Sequence, residues 1–215
     1  MSSNPNKSIE KYIQQGSLIL HADEKARKNG DNWTLVTTIR GVLHTRLGQL
    51  RTKTIKLEEL NNDLAKKIDE KNKLLEKMRS DVKELAVYVE NAFFFDDADI
   101  MAALLLDKKL PDDEKGFYRR IDNIMEKIKE HDNRKFPLPE NILENLKNKH
   151  QPLRLLIKDC DKLRKVRKML VEQRSQSLDE FRQVLKPIRK WLWKMLPEGR
   201  SDKRLHDYGF KPYGK

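Results

Sequence analysis

Apolar side chains recur at every seventh position through much of the first half of the chain. One column, apolar in seven of its eight places, reads Leu43, Leu50, Leu57, Leu64, Lys71, Met78, Leu85, Ala92. A companion column reads Leu47, Thr54, Asn61, Ile68, Leu75, Val82, Val89. Two such columns are typical of a long helix that buries one seam against another helix. Because both stay in phase through "NND" at 61–63, the pattern predicts one helix over residues 33–92.

A second seam begins at Leu153, and its columns read Leu153, Cys160, Arg167, Arg174, Phe181, Ile188, Met195 and Leu156, Leu163, Leu170, Ser177, Val184, Trp191. It predicts a helix over 153–195, bent near Pro187. Two long seams on one chain can bury each other antiparallel. We therefore expect an all-α fold, an elongated helical bundle with two long antiparallel coiled-coil-like helices and short covering helices.

The composition agrees with long solvated helices. Charged residues make up 37% of the chain, while Gly and Pro number only 8 each, too few for the frequent turns of a sheet protein. Asn29-Gly30 predicts the end of a first helix, and Pro111 and Pro139 predict the starts of two others. The predicted organisation is a flexible tail over 1–7, a single elongated helical domain over 8–196, and an irregular basic aromatic tail over 197–215.

The cysteine count and the apolar runs indicate the compartment. Cys160 is the only cysteine, so no disulfide can form within the chain. The N-terminus has no apolar segment typical of a signal peptide, and no apolar run approaches the ~18 residues that cross a bilayer. We expect a cytoplasmic protein.

Motifs that carry chemistry are missing from the sequence. There is no G-x-x-x-x-G-K or G-x-G-x-x-G for nucleotide phosphates, and the five histidines are scattered without an H-E-x-x-H or E-x-x-H pair. We therefore predict no catalytic residues, no cofactor, no metal and no small-molecule substrate, so the chain is not expected to be an enzyme.

Two local clusters have alternative interpretations. "DDAD" at 96–99 could hold a divalent cation, but it lacks the Gly and the bidentate Glu spacing of an EF-hand, so helix capping is favoured. Cys160 could be a nucleophile with His150 as base. Ten residues of helix span about 15 Å, however, and Cys160 falls in the apolar column, which favours a core thiol.

Three small or polar residues in the first seam region leave alternatives open. Gly41 and Gly48, seven residues apart, could let another helix approach closely, or they are unrelated tolerated glycines. Asn61 lies within a column, where Asn can fix the register of a helix pair. An Asn facing solvent at the edge of the bundle would look the same.

Positive charge is concentrated near the C-terminus. Residues 154–174 carry a net charge of +5 and residues 186–215 carry +6, out of +12 for the chain. A solvated face is the common explanation of such runs, and contact with nucleic acid or another anionic partner is the alternative. The candidate contacts are Lys158, Lys162, Lys165, Arg167, Lys168, Arg189, Lys190, Lys194, Arg200, Lys203 and Arg204.

The segment "KPIRKWLWKML" at 186–196 could be a packed helix, a membrane-surface contact or a nucleic-acid contact. Its apolar residues continue the stripe that begins at Leu153, and only Trp193 is out of phase. That continuity favours a packed helix.

The tail after residue 197 contains aromatic side chains that an extension of the preceding helix cannot bury. Glycines and Pro212 prevent a continued helix, so Tyr208, Phe210 and Tyr213 either pack back on the bundle or wait for a partner. We hypothesise a partner contact, and so expect deletion of 198–215 to leave helix content and stability nearly unchanged.

The functional hypothesis that follows is a non-enzymatic structural, assembly or scaffold protein. Its long helices would contact a protein partner or a second copy of the chain. The alternative is a nucleic-acid-binding protein that uses the basic C-terminal helix and tail. Contact with a membrane surface is less favoured.

Overall fold

The computed structural model describes residues 5–92, 97–131 and 137–213, and all regular structure in these ranges is helical. Within them lie α1 (Pro5–Asn29), α2 (Thr37–Ala92), α3 (Asp97–Ala103), α4 (Glu114–Glu130), α5 (Glu140–Met195) and two short 3-10 helices, Gly199–Ser201 and Lys203–His206. The prediction of an all-α bundle with two long helices is confirmed. Of the expected flexible tail over 1–7, residues 1–4 lie outside the described residues, and Pro5 begins α1.

The chain forms two compact units, which we call unit 1 (residues 1–61 and 165–215) and unit 2 (residues 62–164). Both long helices contribute to both units. The predicted helical domain over 8–196 therefore holds parts of both units.

Unit 1 is built from α1, the first part of α2, the last part of α5 and the chain end. In this unit α2 and α5 are antiparallel, because Arg46 is paired with Glu180 at 2.7 Å while Asn61, further along α2, accepts a hydrogen bond from Arg167, which is earlier on α5. α1 packs closely on α5. A Cβ added at Gly16 would lie 2.7 Å from Cζ of Phe181. The core of the unit includes Ile19, Leu35, Leu43, Leu47, Leu50, Phe181, Leu185, Ile188, Leu192, Leu205, Tyr208 and Phe210.

Unit 2 contains α3, α4 and the remaining parts of α2 and α5. The long helices are antiparallel here too, since Lys67 pairs with Asp159 and, further along α2, Asp81 pairs with Lys149. α4 buries the stripe Phe117, Ile121, Ile124 and Ile128. A helix of this length is stable mainly because such a stripe is removed from water.

α2 begins four residues later than the predicted position 33. The preceding residues form a connection whose Leu35 N–H donates to Oδ1 of the buried Asp23 at 2.5 Å. Asp23 also pairs with Arg27 and Arg40. This hydrogen bond and the burial of Leu35 in the core of unit 1 hold the connection against α1. α1 ends at Asn29, as predicted, and Gly30 has a positive φ of 73°.

The prediction that the second long helix begins at residue 153 is wrong, because α5 begins at Glu140 and passes through Pro152. Proline removes one helical hydrogen bond and costs about 3 kcal/mol in a helix interior. Leu146 and Leu153 flank the proline and are fully buried in the core of unit 2, and each contributes roughly 1.5–3 kcal/mol by burial. Burial along one continuous seam therefore outweighs the proline.

No helix in the described ranges is long and apolar enough to cross a membrane.

Candidate anionic-partner interface

The last part of α5 has one apolar side and one cationic side. Phe181, Leu185, Ile188, Leu192 and Leu196 are buried in the core of unit 1. Residues 186, 190 and 194 lie on the opposite side, and residue 189 lies at its border with the apolar side, since a helix advances 3.6 residues per turn. The segment "KPIRKWLWKML" is therefore a packed helix in this structure, with its lysines and arginines turned outward.

We define the cationic face as five exposed side chains of unit 1: Lys186, Arg189, Lys190, Lys194 and Arg200. The first four lie on α5, and Arg200 belongs to the 3-10 helix that follows. None of the five forms an ion pair with a carboxylate in the part of the chain that the structure describes. Their charged groups are therefore accessible to solvent, salt and an added anion.

The out-of-phase Trp193 lies among these cations. The guanidinium carbon of Arg189 is 4.9 Å from the centroid of the Trp193 ring, and that of Arg200 is 4.7 Å away. Trp193 is half-buried and packs against the core of unit 1, and its Nε1 atom is buried. Cation–π attraction of this kind orders arginine side chains that would otherwise be free.

Three nearby carboxylates are engaged with other cations, whereas Glu198, exposed and two residues before Arg200, forms no ion pair in the described ranges. Asp179 pairs with Arg182 at 3.1 Å, and Glu180 pairs with Arg46. Asp202 is buried, accepts hydrogen bonds from the side chain and the backbone N–H of Arg204, and has its pKa lowered to about 2, chiefly by the side-chain bonds. These three carboxylates are therefore not available to neutralise the cationic face.

The upstream basic residues from the sequence prediction are divided between the units. Lys158 and Lys162 are exposed in unit 2, where Lys162 lies 4.0 Å from Asp159. Lys165, Arg167 and Lys168 are exposed in unit 1. Arg167 donates to Asn61 at 2.7 Å, which fits the interpretation that this Asn fixes helix register. We therefore do not place Arg167 among the free cations.

The two basic candidate residues of the second 3-10 helix differ in exposure and in pairing. Lys203 is exposed. Arg204 is bound to Asp202 and lies over the ring of Trp33 at 4.5 Å from its centroid. Its prediction as an anion contact is not supported, because its charge and its donors are used within unit 1.

The hypothesis that the tail rings contact a partner is wrong for two of the three. Tyr208 and Phe210 are 2% and 7% exposed and belong to the core of unit 1. The chain can turn back because Gly209 adopts a positive φ of 68° while Phe210 N–H donates to the Leu205 carbonyl. Burial raises the pKa of Tyr208 to about 12. Tyr213 is 75% exposed, and only this ring remains available.

The structure adds no support for a metal site at 96–99 or for Cys160 as a nucleophile. The described residues contain no cluster of three or more His, Cys, Asp or Glu side chains that could hold a metal. In "DDAD", Asp96 lies outside the described residues and α3 begins at Asp97. Cys160 is buried, and His150 Nε2 is 2.6 Å from Oδ1 of Asp122.

Gly41 and Gly48 have open space around them. A Cβ added at either position would meet nothing within 4 Å in the described structure. Neither glycine therefore lets another described helix approach closely.

Sequence reasoning missed the role of Trp193 and left Lys186 out of the contact set. The spacing of Arg189 and Trp193, four residues apart in a helix, was a readable signal. Arg200 approaches the same ring only because the chain turns after Met195, and the sequence periodicity does not specify that turn. A groove between α2 and α5 of unit 1, lined by Ile39, Val42, Val184 and Pro187, was also missed.

Comparison with known proteins gives no relative. No family model matches the chain, and no curated protein or solved structure is significantly similar to it.

Proposed function

We propose that this chain is a non-enzymatic nucleic-acid-binding protein whose cationic face contacts backbone phosphates. One observation carries the proposal: five exposed cations without ion-pair partners lie on and just after one side of a rigidly packed helix. Phosphate contacts depend on charge and position rather than on a base-reading motif. The sequence has no such motif, so we expect binding without strong sequence preference.

The strength of the interaction should depend on salt. Each phosphate neutralised on a duplex releases counterions and contributes a slope of about −0.9 to log K against log salt concentration. Five contacts give a total slope of roughly −4 to −5. Affinity should therefore fall steeply between 50 and 200 mM salt, while an uncharged interface would change little.

The test is fluorescence anisotropy with a labelled mixed-sequence 20-mer, as single strand and as duplex. We expect K190E/K194E to weaken binding roughly tenfold or more at low salt. The matched control is K25E/K56E, which makes the same charge change at two exposed lysines of unit 1 outside the cationic face.

Three results would contradict the proposal. Wild-type protein could fail to bind at 50 mM salt, or both double variants could lose affinity equally. Tighter binding to polyglutamate or to phosphatidylserine vesicles than to the oligonucleotide would assign the face to an acidic protein or a membrane instead.

The second candidate is protein assembly through the long helices, and the groove of unit 1 favours it. The groove has a volume of about 290 Å³, and Val42 on its wall is 44% exposed. Its lining also includes Arg46 and Glu180, which pair with each other at 2.7 Å, so the apolar wall can meet its copy across a twofold axis without bringing an unpaired charge from this pair into the contact.

Sedimentation velocity tests this second function. Self-association that V42E abolishes and I55E preserves would support it, because Ile55 is an aliphatic residue of unit 1 that lies outside the groove and is at least as exposed as Val42. A wild-type chain that stays monomeric at every concentration would exclude assembly of the chain with itself.

A further inference from the structure

We infer that Trp193 is a positioning residue that holds Arg189 and Arg200 together as one binding site for a phosphodiester group. This inference rests on the proposed function and assigns one subsite within the cationic face. The other cations of the face lie on α5 alone. This subsite joins α5 to the turn that follows it.

The chain geometry brings the second arginine to the ring. After α5, Gly199 N–H donates to the Leu196 carbonyl, and Gly199 adopts a positive φ of 59°. A Cβ added at Gly199 would lie 3.3 Å from the Trp193 carbonyl oxygen. The carbonyl of Arg200 accepts a hydrogen bond from Tyr213 N–H at 2.7 Å. The backbone that carries Arg200 is therefore anchored at two points.

Electrostatics make this pair of arginines a site for an anion. Both guanidinium carbons lie within 5 Å of one ring centroid, so the two like charges are at most about 10 Å apart and repel each other. Attraction to the ring offsets part of that repulsion. No carboxylate in the described ranges pairs with either arginine, so an added anion lowers the remaining repulsion directly.

A phosphodiester is complementary to the two arginines in charge and in hydrogen-bonding groups. A guanidinium stacked on a ring keeps its N–H donors at the edge, where they can reach an oxygen acceptor. A phosphodiester offers two non-bridging oxygens as acceptors for these donors. The indole Nε1 is buried, so Trp193 contributes by orienting the arginines and not by donating a hydrogen bond itself.

An orienting role for Trp193 predicts effects on binding that net charge alone does not predict. Substitutions that keep every charge but remove the ring or the planar guanidinium should weaken binding. We would compare W193L, W193F, R200K and the control K56R in the anisotropy assay. K56R keeps the charge of an exposed residue of unit 1 that lies outside the cationic face.

W193L and R200K should weaken oligonucleotide binding roughly three- to tenfold. W193F retains an aromatic face and should recover most of the affinity, and K56R should match the wild type. Recovery by W193F separates orientation of the arginines from simple loss of the indole. R200K alters an exposed side-chain tip, so it keeps the test valid if W193L proves unstable.

Wild-type affinity in both W193L and R200K would overturn the inference while leaving the proposed function intact. An equal loss in K56R would do the same, because the effect would then not depend on the Trp193 ring. Failure of the wild type to bind any oligonucleotide would overturn the proposed function, and the inference with it.

Discussion

Lys71 on α2 donates a hydrogen bond to a carboxylate oxygen of Glu114 on α4, and its side chain is 2% exposed in unit 2. Lys71 is the one polar residue in the first apolar column of the chain. A lysine can occupy this buried position because a carboxylate reaches it, whereas an isolated buried charge would be strongly unfavourable.

We expect E114A to destabilise unit 2 by about 1–3 kcal/mol, because it leaves a buried ammonium without its partner. The double variant K71M/E114A should regain most of that loss, since methionine fills the site without a charge. Urea denaturation followed by circular dichroism measures both. The pair would have no structural role if E114A unfolded at the wild-type urea concentration.

Glycine positions in unit 1 allow a matched comparison. We expect G16A to destabilise the protein by about 1–3 kcal/mol, because the new methyl group would lie 2.7 Å from Cζ of Phe181 and 3.0 Å from Cδ1 of Leu47. G48A has open space around its Cβ and should stabilise α2 by up to about 1 kcal/mol. Equal shifts in thermal midpoint for the two variants would show that α1 does not pack on α5 as closely as described.

The structure reverses the expected effect of removing the C-terminal tail. A chain ending at residue 197 loses Leu205, Tyr208 and Phe210 from the core of unit 1, and each buried side chain contributes roughly 1.5–3 kcal/mol. We expect a strongly lowered thermal midpoint and aggregation. Y213A is the control, since this ring is exposed, and it should stay within about 0.5 kcal/mol of wild type. An unchanged midpoint for the truncated chain would restore the original hypothesis of a separable tail.

The seven-residue columns predicted the long helices because one repeated seam is a local property of the chain. They also marked Lys71 as an exception. They could not identify Glu114 as its partner, because the route of the chain through α3 and α4 decides which carboxylate reaches the site. Pro152 misled the prediction of the α5 boundary for a similar reason. Its local cost is readable from the sequence, while the burial of Leu146 and Leu153 that outweighs it depends on tertiary packing.

The candidate site was predictable in part. Charge density pointed to the C-terminal segment, and helical spacing placed Arg189, Lys190 and Lys194 on one side of α5. In the folded chain, however, Arg204 pairs with Asp202 and is not available to an anion, and Tyr208 and Phe210 are buried. Ion pairing and burial between segments distant in sequence decide which of the predicted contact residues remain available. Neither produces a periodic pattern in the sequence.

Asp202 gives the last prediction, a dependence of stability on pH. Hydrogen bonds from Arg204 lower its pKa to about 2 in the folded chain, from an ordinary value of 3.8. The folded pKa is depressed, so the stabilisation is fully present above pH 4 and is lost as the pH falls from about 4 to about 2. In that range the unfolded chain binds up to one more proton, which lowers the free energy of unfolding by at most about 1.4 kcal/mol per pH unit.

D202N should be less stable at pH 7 and should show a shallower decline between pH 4 and pH 2. D179N, which changes an exposed carboxylate, serves as the control. Thermal unfolding across this range, followed by circular dichroism, would contradict the assignment if D202N and wild type declined in parallel.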